Sequence, residues 1–243
     1  MEKEEFNKIN KLENFHWWYV GTREISFSIL SKYLPKKEGL KILDIGCGTG
    51  GNLKELSTFG DARGIDLDPY VIGLCKQNGF KCEIGDLRSL KQKEDSFDLI
   101  TLFDVLNQAD YESIPGILND IRNVLKKGGL LVFREPAMKA VSGKHDLYVN
   151  IRFRSEKKDI QHLLKGAGFE VLYSSHINFL LFIPVWLKRK FDFFMDKTPR
   201  SDVYKHSDFS NDVLLGILRV EKYLLNVFNF PVGTSLLVVA RKS

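Results

Sequence analysis

The sequence predicts an α/β fold built on a doubly wound, mostly parallel sheet, and three observations lead there. A short apolar run, Leu40, Ile42, Leu43 and Ile45, passes directly into a glycine turn, Gly46-Cys47-Gly48-Thr49-Gly50-Gly51. Units of apolar strand and amphipathic helix then repeat along the chain, the pattern of parallel strands with crossover helices. Acids stand at the ends of three of these strands, Asp44, Asp66 and Asp86, where such sheets bind ligands. The 243 residues suit one large domain, 1–243. It divides into a helical leader over 1–38, a core over 39–178, a helical insertion over 179–230 and a closing strand over 231–243.

Composition bounds the function. Apolar residues make up 44% and charged residues 28%, values of a folded globular chain rather than a disordered one. No run approaches the ~20 apolar residues of a membrane span. Met1-Glu2-Lys3-Glu4-Glu5 opens on charge rather than on a signal core, so a cytoplasmic location is expected. The net charge of +5 comes from lysines and arginines spread along the chain, which does not favour nucleic acid. Cys47, Cys75 and Cys82 lack metal-ligand spacing, so free thiols and no metal are expected.

The elements follow in order. Residues 4–14 read as a polar helix leading into Phe15-His16-Trp17-Trp18-Tyr19, an aromatic cluster that needs cover. A second helix from Val20 to Leu34 places Ile25, Ile29 and Tyr33 on one face. The strand over Leu40–Ile45 turns at the glycines into a helix over Asn52–Thr58. Glycine suits this turn because the backbone angles exclude a side chain and a ligand can approach the main chain. Gly46-x-Gly48-x-x-Gly51 also satisfies a dinucleotide fingerprint, although a carboxylate at Asp44 would repel a pyrophosphate.

The second strand, Ala62–Leu67, ends at Asp66, whose carboxylate can accept both ribose hydroxyls of an adenosyl group. Asp68 directly precedes Pro69 and reads as the N-cap of a helix over Pro69–Asn78. Lys81–Ile84 is a third strand leading into Gly85-Asp86-Leu87. Phe97 opens a fourth, with Asp104 at its exit. A helix over Ile114–Leu125 stops at Lys126-Lys127-Gly128-Gly129, and Leu130–Arg134 is the fifth strand. A loop to Arg154 carries His145-Asp146, and a helix from Ser155 to Lys165 precedes the sixth strand, Glu170–Ser175. The insertion holds the apolar Phe179–Leu187, then Lys188-Arg189-Lys190, and a helix over Ser210–Phe228 with Val213, Ile217, Val220, Leu224 and Phe228 along one stripe. It reads as a packed helix pair, a lid over a greasy acceptor, or a membrane-surface segment over 179–195. Ser235–Ala240 closes the sheet.

LDIGCGTG resembles the first motif of the class I S-adenosylmethionine-dependent methyltransferases. The resemblance implies a Rossmann-like seven-stranded sheet whose last strand runs antiparallel between the fifth and sixth. It implies a cofactor site at Gly46, Cys47, Gly48 and Gly50, with Asp44 toward the amino group of the methionine moiety. Asp66 and Leu67 would face the ribose, Asp86 and Leu87 the adenine. HWWYVGTREI resembles the HWWF-x-x-RR leader of members acting in glycan and small-molecule pathways, which would set Arg23 on the methionine carboxylate; Thr22 stands in place of the first arginine. The FD segment from Phe97 and LKKGGLLVF are similar to further family motifs, placing Phe103 and Asp104 where donor and acceptor meet.

The function expected is methyl transfer to an O or N atom of a small-molecule, glycan or lipid-linked acceptor. The donor arrives activated, so alignment and desolvation suffice, with a base only where the acceptor loses a proton. His145, Asp104 and Asp146 are the acceptor-side candidates. Two other readings stand beside it, a nicotinamide-dependent oxidoreductase and a non-catalytic S-adenosylmethionine-binding protein.

Overall fold

The computed structural model describes residues 3–34, 38–86, 94–195, 201 and 204–243, with the side chains of 192–195 aside. The leader forms α1 (Lys3–Leu12) and α2 (Trp17–Leu30). The core follows as β1 (Leu40–Ile45), α3 (Leu53–Leu56), β2 (Gly60–Asp66), α4 (Pro69–Gln77), β3 (Cys82–Ile84), β4 (Phe97–Phe103), α5 (Ile114–Val124), β5 (Leu125–Pro136), α6 (Lys144–Tyr148), α7 (Lys157–Gly166) and β6 (Phe169–Ile177). The insertion is α8 (Phe182–Met195) and α9 (Asp208–Leu224), and β7 (Ser235–Lys242) closes the chain.

The seven strands lie in the order β3-β2-β1-β4-β5-β7-β6. All pairings are parallel except those of β7, which runs antiparallel to both β5 and β6. Alternate side chains build two cores. Ile42, Leu99, Phe103, Val132, Leu237 and Tyr173 face α2, α4 and α9. Leu43, Ile100, Leu102, Leu131, Phe133 and Val238 face α5 and α7. Central strands covered on both faces need apolar residues at nearly every position, which is why β1 is apolar at Leu40, Ile42, Leu43 and Ile45, with Lys41 at its exposed position and Asp44 at its tip.

Several boundaries differ from expectation for local reasons. α2 begins three residues early because His16 caps it, its Nδ1 accepting the Trp18 N–H at 3.3 Å, so the aromatic cluster lies within the helix. α3 is a single turn, and the Ser57 and Thr58 hydroxyls donate back to the Leu53 and Glu55 carbonyls where it ends. The stretch before Arg154 is not a plain loop but holds a 3-10 turn over Lys139–Val141 and then α6. Ser155 makes a parallel bridge to Ala137, which delays α7 to Lys157.

The predicted stripe on α9 lies on the wrong side of the helix. Leu215, Leu218 and Glu221 are buried, whereas Val213, Val220 and Phe228 are exposed, with Ile217 and Leu224 at the margin. The face that packs is set by Gly21 of α2, where an added Cβ would sit 2.4 Å from the Leu218 side chain. Only glycine lets the two helices approach so closely.

Candidate functional site

The parallel order brings the carboxyl ends of β1, β2, β3, β4 and β5 to one edge. At that edge the glycine turn is pinned to β2, since the Gly46 and Cys47 N–H groups both donate to the Ile65 carbonyl, at 2.8 and 3.0 Å. Gly46, Gly48 and Gly50 all have positive φ, at 69°, 55° and 95°. A Cβ on Gly46 would fall 2.4 Å from Val105, and one on Gly50 2.4 Å from Phe80. A Cβ on Gly48 would meet no protein atom within 4 Å, so this part of the turn offers bare backbone to an open side.

Asp44 is buried at the tip of β1. Its Oδ1 accepts the Thr101 hydroxyl at 2.6 Å, while Oδ2 has no partner. Burial, with the nearby charge of Asp66, pushes its pKa up to about 7, and the Thr101 hydrogen bond only partly opposes this. Asp66 accepts the Gly48 N–H on Oδ2 at 3.1 Å and the Asp68 N–H on Oδ1 at 3.0 Å. Each oxygen keeps a lone pair for a hydroxyl. Asp68 caps α4 through the Tyr70 N–H at 2.8 Å, the role expected of it. Leu67, next to Asp66, is 72% exposed, and Asp86 follows β3 half-buried. Leu87 lies outside the described residues.

The leader is fastened over this turn. Glu13 Oε1 accepts the Thr49 hydroxyl at 2.8 Å, and burial holds its pKa above the ordinary carboxylate value. Arg23, buried beside it, donates to the backbone carbonyls of Gly51 and Glu13. The guanidinium expected on the methionine carboxylate is therefore used to hold the leader to the turn. Asn78 Nδ2 bridges the Thr49 carbonyl at 2.9 Å and Asn10 Oδ1 at 2.7 Å, and the Tyr70 hydroxyl donates to Asn7 Oδ1 at 2.7 Å. Glu13 was not legible as a site residue, because nothing in its local sequence separates it from the other acids of a polar helix.

The mouth forms where β4 and β5 end. Phe103 is buried against Phe27, ring centroids 6.0 Å apart, with the Arg134 guanidinium 5.3 Å above its ring. Asp104, at φ 62°, is ion-paired with Arg134. Glu135 is fully buried and accepts from the backbone N–H groups of Val105, Leu106 and Asn107 and from Asn107 Nδ2, all within 3.1 Å. Burial and the charge of Asp104 raise its pKa to about 7. Glu135 thereby sets the exit loop of β4, and its strand-end position, shared with Asp44 and Asp66, was the available signal. His145 sits half-buried on α6. Asp146 is corrected: it takes a two-pronged ion pair from Arg154, at 2.7 and 2.6 Å, together with Ser142 and Arg189, and its pKa is held low despite burial. A carboxylate so engaged anchors α6 and is not a base.

Against known proteins, residues 21–179 match the model of a methyltransferase domain, well over half of the chain. The chain belongs to the methyltransferase family. Its seven-stranded sheet with a reversed β7 is that of the class I, S-adenosylmethionine-dependent members. The methyltransferase is 30% identical to a sterol 24-C-methyltransferase of Gibberella zeae over 56% of this chain and 41% of that protein. It is 27% identical to a demethylmenaquinone methyltransferase of Staphylococcus aureus over 54% of this chain and 55% of that one. The chain thus spans less than half the length of the sterol relatives it matches. In fold it is similar to an S-adenosylmethionine-dependent methyltransferase from Mesorhizobium loti, TM-score 0.59 at 18% identity, covering 90% of this chain and 98% of that one.

The residues present fit that cofactor. An unpartnered buried carboxylate oxygen on Asp44 suits an ammonium, the open backbone at Gly48 suits close approach, and the spare acceptor capacity of Asp66 suits a ribose diol.

Proposed function

We propose that this methyltransferase moves a methyl group to an O or N atom of a small-molecule, glycan or lipid-linked acceptor by in-line displacement. Bound S-adenosylmethionine supplies a methyl already activated on a sulfonium. The observation that carries the reading is the Asp44 carboxylate, buried with one oxygen unsatisfied at the end of β1 beside open glycine backbone. A buried carboxylate oxygen without a partner is costly, and an ammonium on the ligand offsets that cost. Asp66 and Leu67 are assigned to the ribose, Asp86 and Leu87 to the adenine, and Gly46, Cys47, Gly48 and Gly50 to the methionine portion.

On the acceptor side, Phe103 walls the mouth, while Asp104, held by Arg134, serves in binding rather than as a base. His145 is the group assigned to take a proton where the acceptor must lose one. Among acceptors a lipid is favoured, because curated relatives are named for sterol and demethylmenaquinone methylation, the sterol ones at a carbon, and because the insertion opens on the apolar run Phe179–Leu187.

The test is titration calorimetry with S-adenosylmethionine, its demethylated product and NADH, followed by product-release assays over sterol, quinone, phospholipid and sugar acceptors. Binding of the first two ligands with turnover on one acceptor is expected. Binding of NADH alone would return the chain to the oxidoreductase reading, and cofactor binding without turnover to the non-catalytic one.

A further inference from the structure

α9 is apolar on two opposite faces. The inner face, through Leu215, Leu218 and its continuation Leu225, is buried in the core shared with α2. Positions 209, 213, 216, 220 and 223 lie within an arc of roughly 80° on the other side, at 100° per residue. They carry Phe209, Val213, Gly216, Val220 and Tyr223, a stripe without a charge. Phe209 is 81% and Tyr223 69% exposed, and Val227 and Phe228 continue the exposure past the helix end. No fold requirement explains this, since the inner face alone holds the helix in place.

α8 repeats the arrangement. Val185 packs on the same core as Leu214 and Ile217 of α9, while Ile183 and Phe191 are 63% and 64% exposed, with Leu187 between them one turn from each. Both helices thus bury one face in a single core and present a second apolar face away from it. From Phe179 to Phe191 the chain carries three basic residues and no acid. Arg189 turns inward, its Nη1 donating to the Val141 carbonyl at 2.7 Å, whereas Lys188 and Lys190 are exposed on either side of the α8 stripe.

We infer that the outer faces of α8 and α9 dock on the surface of an anionic lipid bilayer. Apolar side chains enter the acyl boundary, and lysines at the margins extend their stems along it and set their ammonium groups among the phosphates. The basic margin of α8, without an acid from Phe179 to Phe191, points to an anionic surface as the occupant, and a second copy of the chain, whose exposed Asp208 and Asp212 beside the α9 stripe could meet those lysines, is an outcome of the test. No described helix is long and apolar enough to cross a membrane, so the contact lies along the surface. This docking does not depend on which acceptor is methylated.

The test is flotation of the purified full chain with phosphatidylcholine vesicles and with vesicles that also contain phosphatidylserine. Partition onto the anionic vesicles, falling as salt is raised, is expected. The double variant Val220→Asp, Tyr223→Asp should lose it by at least about tenfold with an unchanged melting temperature and S-adenosylmethionine affinity. Lys188→Gln and Lys190→Gln should each lower partition by roughly fivefold. Equal partition onto neutral and anionic vesicles, no partition at all, or a dimer in sedimentation that the aspartate variant dissolves would overturn the inference; the last would assign the face to self-association.

Discussion

Asp44→Asn should move cofactor affinity and ligand-free stability in opposite directions. In the wild-type chain the buried carboxyl titrates at about 7 against an ordinary 3.8, so the native state holds its proton more tightly than the unfolded chain. The resulting destabilisation is near zero below pH 4, grows as pH rises, and is complete above pH 7, where it reaches about 4 kcal/mol. Asparagine keeps an oxygen for the Thr101 hydroxyl and removes the titration. The ligand-free variant should therefore gain about 3 kcal/mol more at pH 8 than at pH 5, relative to wild type, or several degrees in melting temperature. S-adenosylmethionine binding should weaken about ten- to hundredfold, the worth of a charge-assisted hydrogen bond. Calorimetry at pH 7 in phosphate and in Tris should further show roughly half a proton released on binding to wild type and none to the variant. Unchanged affinity, or a stability change that is the same at both pH values, would refute the assignment of Asp44 to the ligand's ammonium.

Gly51→Ala would place a Cβ 2.1 Å from Glu13 Oε2, so it should release the leader, seen as faster amide exchange over residues 3–30 and about tenfold weaker cofactor binding. Adding Glu13→Ala should relieve the clash, and a double-mutant cycle should show strong non-additivity. Gly21→Val, 2.4 Å from Leu218, should overpack the contact between α2 and α9 and lower unfolding stability by about 1–3 kcal/mol in denaturant titrations. His16 is held neutral, its pKa lowered to about 4 by burial and by His206. The unfolded chain therefore takes up the proton first as pH falls below 6.5, and this one group should cost about 2 kcal/mol between pH 7 and pH 5. His16→Asn, which retains a capping acceptor, should remove that loss when melts of the two proteins are compared.

What could be read in advance was local. The glycine turn, the Asp68 cap and the acids at strand tips declare themselves through neighbours in sequence, and the strand order followed from the resemblance they support. The packing face of α9 did not, because a helix apolar on two sides has no single periodic stripe, and the choice rests on Gly21 almost two hundred residues away. Likewise the start of α2 depends on His16, whose Nε2 also lies 3.1 Å from the Tyr204 carbonyl. Glu13 and Asp146 show the same limit from opposite directions. One is a plain acid given a task by Thr49, and the other a suggestive His-Asp neighbour already taken by Arg154.

The bonds from α9 back to the leader have a consequence for how the chain is made. Asn211 holds the Trp17 N–H and the Phe15 carbonyl, and Glu24 is gripped by Arg219 and Lys222. The first thirty or so residues leave the ribosome with their tryptophans uncovered, and the helix that shelters them is among the last segments translated. Burial of the leader thus waits until α9 has emerged, and a ribosome stalled short of α9 holds a nascent chain in which β1 to β5 can pair but neither the roof nor β7, which joins β5 to β6, is yet present.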